Sequence, residues 1–208
     1  MANGELQLHG KKLASTLSTP AQESIGTYYL AENPQFYEPQ RGNTFKFYVS
    51  GLEGILGTMF NSSTDGTDEG NVLSLAVKAS SVPQFTIDPI SITRGNNQMH
   101  FAGKAKFDSG SLVVHDYIGA NTKEILLAWQ RLAYNVETEK VGLAKDYKKD
   151  AYLLEYTPDF QLVRTWRLFG CWVSKVGEGN YDHESADART MDVTIYYDKA
   201  YIDTSDRV

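Results

Sequence analysis

The sequence predicts a mainly β domain, a small barrel or sandwich with one flanking α-helix, and three observations carry that reading. Beyond residue 44 apolar and polar residues alternate with period two in segment after segment. One segment alone switches to a helical period, and the stretches between are rich in Gly, Asn, Asp and Pro. The tally is about seven or eight strands and one helix, without a repeat of solenoid length. At 208 residues, 41% hydrophobic and 22% charged, the chain can bury a core of its own.

Residues 1–43 are polar and mixed, with Pro20, Pro34 and Pro39, and read as an N-terminal arm ahead of a domain over 44–208. Within 44–52, Phe45, Phe47 and Val49 share one side and Lys46, Tyr48 and Ser50 the other, as a strand requires. Residues 53–71 hold four glycines and many small polar side chains, the composition of a long mobile loop inserted in the domain. Alternation resumes over 72–79, where Leu73, Leu75 and Val77 face together and Pro83 closes the run. Further strands follow over 85–87, 90–93, 100–107 and 111–118, with Arg94-Gly95-Asn96-Asn97 as a hairpin turn. The period then changes. Asn121 stands where it can cap a helix, Glu124 completes an arrangement close to a capping box, and Ile125, Trp129, Leu132 and Ala133 form a core stripe over 121–135. Strand character returns over 150–156, 162–173 and 188–202, with Thr157-Pro158-Asp159 as a turn.

Composition removes several classes of function. No apolar run approaches the ~20 residues of a membrane helix, and the N-terminus lacks the basic start and apolar block of a secretory signal, so the expectation is a cytosolic chain that does not engage a membrane. The single Cys171 excludes an internal disulfide and a multi-thiolate metal centre, and its apolar surroundings over 168–173 suit an inert core thiol. A net charge of −6 disfavours a nucleic-acid binder, which needs clustered cations. His9, His100, His115 and His183 are scattered, and the neighbours His115 and Asp116 point to opposite faces of a strand. The acidic run from Asp65 to Asn71 begins like a calcium loop, but Ala76 stands where a bidentate Glu is required. Gly177-Glu-Gly-Asn lacks the third glycine of a dinucleotide fingerprint and reads as a turn. The triplet Asn61-Ser62-Ser63 fits a glycosylation acceptor, idle without export. The expectation is therefore no catalytic residue, no metal, no cofactor and no enzyme.

From Pro89-Ile-Ser-Ile onward a family resemblance enters. It continues in Met99-His-Phe-Ala-Gly-Lys-Ala-Lys-Phe-Asp108, in Leu112-Val-Val-His-Asp-Tyr117 and in the helix carrying Ala128-Trp129-Gln130. Upstream it includes Lys78-Ala-Ser-Ser-Val-Pro83 and the strand at 45–52. Downstream it includes Asp146-Tyr-Lys-Lys-Asp-Ala151, Trp166-Arg-Leu-Phe-Gly-Cys-Trp172 and Asp192-Val-Thr-Ile-Tyr-Tyr-Asp198. In this order, over about 44–202, the segments resemble the tail tube protein family of contractile-tailed, T4-like bacteriophages. The arm at 1–43 is longer than that family's, the 53–71 stretch replaces a short turn, and Val173 stands where a proline often follows the tryptophan.

The resemblance implies a tail-tube type fold, a structural subunit whose copies form stacked hexameric rings, and a bore that conducts DNA during ejection. Its partners would be further copies of itself, the tail sheath, baseplate and tail terminator proteins, and double-stranded DNA passing without specific binding. Its location would be the virion tail, after assembly in the host cytoplasm. The place of the family's inter-ring loop falls on 84–98, with Gln84, Phe85, Ile87, Pro89, Arg94, Asn96 and Asn97 as contacts, although the subunit's own core can claim some of Phe85, Ile87, Ile90 and Ile92. The 53–71 insertion is a second stacking segment, through Ile55, Leu56, Met59, Phe60, Asp65, Asp68 and Glu69. Asp192, Thr194 and Asp198, polar alternates of the last strand, are candidates to line the bore. Two variants share these features, a baseplate tube-initiator and a type VI secretion-like tube ring. A reading from another class is a monomeric β-sandwich carbohydrate-binding module that uses the 12% aromatic content.

Overall fold

The computed structural model describes residues 39–56, 69–179, 184 and 187–203, together with the backbone of 7–8 and 11–12. The chain divides into two units, Met1–Arg41 and Gly42–Val208. In the first, β1 (Gln7–Leu8) pairs antiparallel with β2 (Lys11–Lys12).

The second unit is antiparallel throughout. Its main sheet runs in the order β3 (Phe45–Val49), β10 (Lys149–Tyr156), β11 (Leu162–Glu178), β12 (Thr190–Tyr196), β7 (Gly110–His115), β4 (Val77–Ser80), and β13 (Lys199–Asp203) pairs with β11. The 17-residue β11 serves two half-sheets. Its first part lies between β10 and β13, and its residues 172–178 pair with β12. At the hand-over Gly170 adopts φ 63°, and a Cβ there would run into the Asp198 carboxylate, so only glycine fits the bend. The half-sheets do not close on each other: among the described residues the order begins at β3 and ends at β4, which makes an open sandwich-like layer and not the closed barrel among the sequence alternatives.

Three local expectations change. The 72–79 run is not a strand: α1 (Glu69–Ala76) occupies most of it and β4 begins only at Val77. Glu69, Gly70, Leu73 and Ala76 are buried at helical spacing, whereas Leu75 is 81% exposed. A run this short satisfies either period, and packing of α1 against β3 decides between them. The helix at 121–135 forms as α2 (Thr122–Ala133), but without the capping box: Asn121 sits in the left-handed region at φ 49° and makes no side-chain cap bond. Asn tolerates that conformation, and its carbonyl instead accepts the Ile125 N–H at 3.1 Å. Finally, the 188–202 strand is two strands. It breaks at Tyr197 and Asp198, so that β12 and β13 pair with different parts of β11.

The core lies between the sheet and the two helices. Phe47 and Val49 from β3, Leu112 and Val114 from β7, Leu153 from β10, and Met191, Val193 and Ile195 from β12 meet Ile125, Leu126 and Trp129 of α2. Each such fully buried side chain contributes about 1.5–3 kcal/mol. A small hairpin, β8 (Tyr134–Asn135) with β9 (Lys140–Val141), and the one-turn α3 (Ala144–Tyr147) connect α2 to β10. No helix among the described residues is long and apolar enough to cross a membrane.

Candidate functional site

One element stands apart from the core. Among the described residues, β5 (Phe85–Arg94) and β6 (Asn97–Phe107) pair only with each other, and they continue the β4–β7 pair outward as a two-stranded ribbon. Its turn is the two-residue loop Gly95-Asn96, and Gly95 at φ 60° supplies the positive φ that a tight hairpin turn needs. Every residue of β5 is exposed, as are most of β6. At its base the ribbon is tied to the body. The Gln84 N–H donates to the Tyr197 hydroxyl at 3.3 Å, and Phe107 meets Tyr197 edge to face at 6.1 Å and Phe85 at 5.7 Å.

The inter-ring candidates all fall on this ribbon, but not as one patch. Gln84 and Phe85 belong to the anchored base, Ile87 and Pro89 follow on the same side, and Arg94, Asn96 and Asn97 surround the turn. The subunit's core claims neither Ile90 nor Ile92, which are about half exposed. They pair across the ribbon with Phe101 and Met99, equally exposed side chains that alternation in β6 alone does not distinguish from core positions.

The second stacking segment divides differently. Ile55 and Leu56 are buried in the subunit's own core, and Glu69 is buried at the start of α1, where its Oε2 accepts the Gly54 N–H at 2.9 Å. These three are therefore not surface contacts. Burial of their side chains joins both ends of the insertion to the core. Met59, Phe60, Asp65 and Asp68 lie outside the described residues.

The two half-sheets present contrasting outer faces. On the β12–β7 side, Thr190, Asp192 and Thr194 stand opposite His115, Val113 and Ser111, and on their other flank β11 sets Gly177 opposite Asp192 and Lys175 opposite Thr194. Asp192 and Thr194 share this face. Asp198 does not: it lies in the link between β12 and β13, its carboxylate accepts hydrogen bonds from the Lys148 ammonium at 2.6 and 2.8 Å, and its N–H donates to the Phe169 carbonyl. On the other half-sheet, Tyr48, Tyr152, Arg167 and Tyr201 occupy one row across four strands. Arg167 lies 4.4 Å over Phe169 and 5.7 Å over Tyr152 while bonding Asp150 at 3.2 Å, and that bond holds its guanidinium pKa up.

Burial, with a smaller effect of Asp150, pushes the Cys171 thiol up to about 12, so it is protonated and unreactive at neutral pH. The described residues hold no cluster of His, Cys, Asp or Glu that could bind a metal ion. Glu178 receives hydrogen bonds from Lys123 at 2.6 Å and Arg189 at 3.3 Å, which together hold its carboxyl below the usual range, Lys123 most strongly.

Two solved structures share the fold. A chain of the sheath–tube complex of an extracellular contractile injection system in its extended state aligns with TM-score 0.57 at 14% identity, covering 85% of this chain and 97% of that one. A chain of the same system's sheath/tube terminator aligns with TM-score 0.57 at 17% identity, covering 80% and 97%. In sequence, the chain is similar to tail tube protein gp19 of Enterobacteria phage T4, 26% identical over 132 residues, 62% of this chain and 81% of the relative, and equally to gp19 of phage T6. No family model matches. The resemblance read from the sequence is thus found again by comparison in both sequence and fold.

Proposed function

We propose that this chain is the structural subunit of a phage-type tail tube, closing laterally into hexameric rings that stack through the β5–β6 ribbon into a conduit for DNA. The observation that carries the reading is the ribbon itself. Two strands alone are marginal in water, and this pair displays apolar side chains along its whole length. Such an element is stable in an assembly that covers it. Heterologous contacts that close make a ring, and a contact along the axis that cannot close makes a filament.

Inter-ring contacts are assigned to the outer part of the ribbon, up to the turn at Arg94, Asn96 and Asn97, while Gln84 and Phe85 anchor its base to the subunit's own Tyr197. The bore wall is assigned to the face bearing Asp192 and Thr194, whose rows from Asp192 to Val113 and Gly177 and from Thr194 to Ser111 and Lys175 set one cation beside one carboxylate and so lack the clustered cations that would grip DNA phosphates. Asp198 is paired to Lys148 and is not part of that assignment. Sheath, baseplate and terminator proteins would meet the assembled tube in a virion tail, and the role is structural, without catalysis. A second reading keeps the same ring and passes protein through its bore in place of DNA.

Electron microscopy and light scattering of the purified chain test this reading. Hollow rings or filaments are the expected outcome, arrest at a single ring identifies a tube initiator, and a strictly monomeric species at every concentration rejects the conduit.

A further inference from the structure

The ribbon changes its apolar side halfway along. In β5, Phe85 and Ile87 fall on one face, whereas Ile90 and Ile92, at odd spacing from them, fall on the other. In β6, Phe107, Phe101 and Met99 would share a face by spacing alone. Between Ala105 and Ala102, however, β6 carries one residue more than β5 does between Ile87 and Pro89, and this bulge reverses the alternation. Both strands therefore switch together. Phe85, Ile87 and Phe107 form the base patch, directed to Tyr197 of the subunit's own body, and Ile90, Ile92, Met99 and Phe101 form a tip patch on the opposite face, each 46–54% exposed. Gly103 makes the bulge possible, since a Cβ there would run into the Asp88 carbonyl oxygen.

Charge indicates what covers the tip patch. On the same face Arg94 borders it at the turn end, and Asp88 followed by Lys106 lies beyond Ile90 at the base end. Residues 85–107 carry Arg94, Lys104 and Lys106 against Asp88, a net +2 within a chain of net −6, which leaves −8 on the remaining residues. A cationic arm with an apolar centre is complementary to the acidic body of another copy of its own chain.

We infer that the tip half of the ribbon docks on the body of a second copy through the Ile90, Ile92, Met99 and Phe101 face, and that the bulge at Gly103 turns this face away from the side by which the base holds its own subunit. This rests on the tube-subunit reading and names the face that reading uses. The opposite tip face, with Ser91, Thr93, Gln98 and His100, is polar and is not the contact.

The test compares Ile92→Asp with Thr93→Asp in the full chain. Both add one negative charge to adjacent exposed positions, and both should keep the circular dichroism and melting curve of the parent. Ile92→Asp is expected to raise the concentration needed for ring stacking, measured by sedimentation and electron microscopy, by roughly tenfold or more. Thr93→Asp should shift it much less. Equal effects of the two changes, or stacks unaffected by Ile92→Asp, overturn the inference while leaving the tube reading intact. A parent chain that never assembles overturns both.

Discussion

Trp129 illustrates how single residues carry this fold. It is fully buried beneath the sheet, and its indole N–H donates to the Tyr147 carbonyl at 2.9 Å, which ties α2 to α3. Trp129→Ala should cost about 3–5 kcal/mol, readable by urea denaturation, because it opens a cavity and orphans that carbonyl. Cys171 should resist alkylating reagents until the chain unfolds, since the buried thiol stays protonated; labelling of the native protein at neutral pH would contradict its placement. Glu178 sets a pH dependence. Its carboxyl pKa is lowered on folding, chiefly by the Lys123 hydrogen bond, so its contribution is present above the ordinary carboxylate range and is lost as pH falls through the lowered value. The melting difference between the parent and Glu178→Gln should accordingly shrink in acid. At this scale the sequence was informative about Trp129 and Cys171, whose apolar neighbours imply burial. It was silent about Glu178, whose partners come from positions 55 and 11 residues away.

At the scale of elements, segments with a sustained period or a distinctive turn were legible, whereas the short 72–79 run and the break inside 188–202 were not. The period of 121–135 yields α2, and Arg94-Gly95-Asn96-Asn97 yields the ribbon's turn, because many residues repeat one signal. The 72–79 run holds too few residues to separate helix from strand, and contact with β3 selects α1. The ribbon invites a direct trial. Gly103→Ala should disturb the β5–β6 pairing by forcing the bulge apart, while leaving the body's melting midpoint nearly unchanged, since the ribbon adds little to the core. Hydrogen exchange should speed up in 85–107 and stay slow in β11 and β12.

For the whole molecule, charge distribution matters more than net charge. The acidic total argues against a nucleic-acid binder, yet the same chain carries a cationic ribbon that favours contact between copies. Raising ionic strength from about 0.1 M to 1 M shortens the screening length from ~10 to ~3 Å, so stacking should weaken with salt before the subunit unfolds. Sedimentation set beside a melting curve measures both, and stacks that tolerate salt unchanged would leave apolar burial as their sole support.

Local periodicity, turn chemistry and composition belong to the chain itself, and they determined a mainly β domain with one substantial helix, an inert thiol and a hairpin at 94–97. Which residues those elements would leave uncovered depends on partners distant in sequence. Only the packed structure buried Ile55, Leu56 and Glu69, broke 188–202 so that Asp198 left the Asp192 and Thr194 face, and exposed both sides of the ribbon. The reason is physical: alternation states that a residue has a side, and only the neighbouring strand or helix decides whether that side meets the core or the solvent.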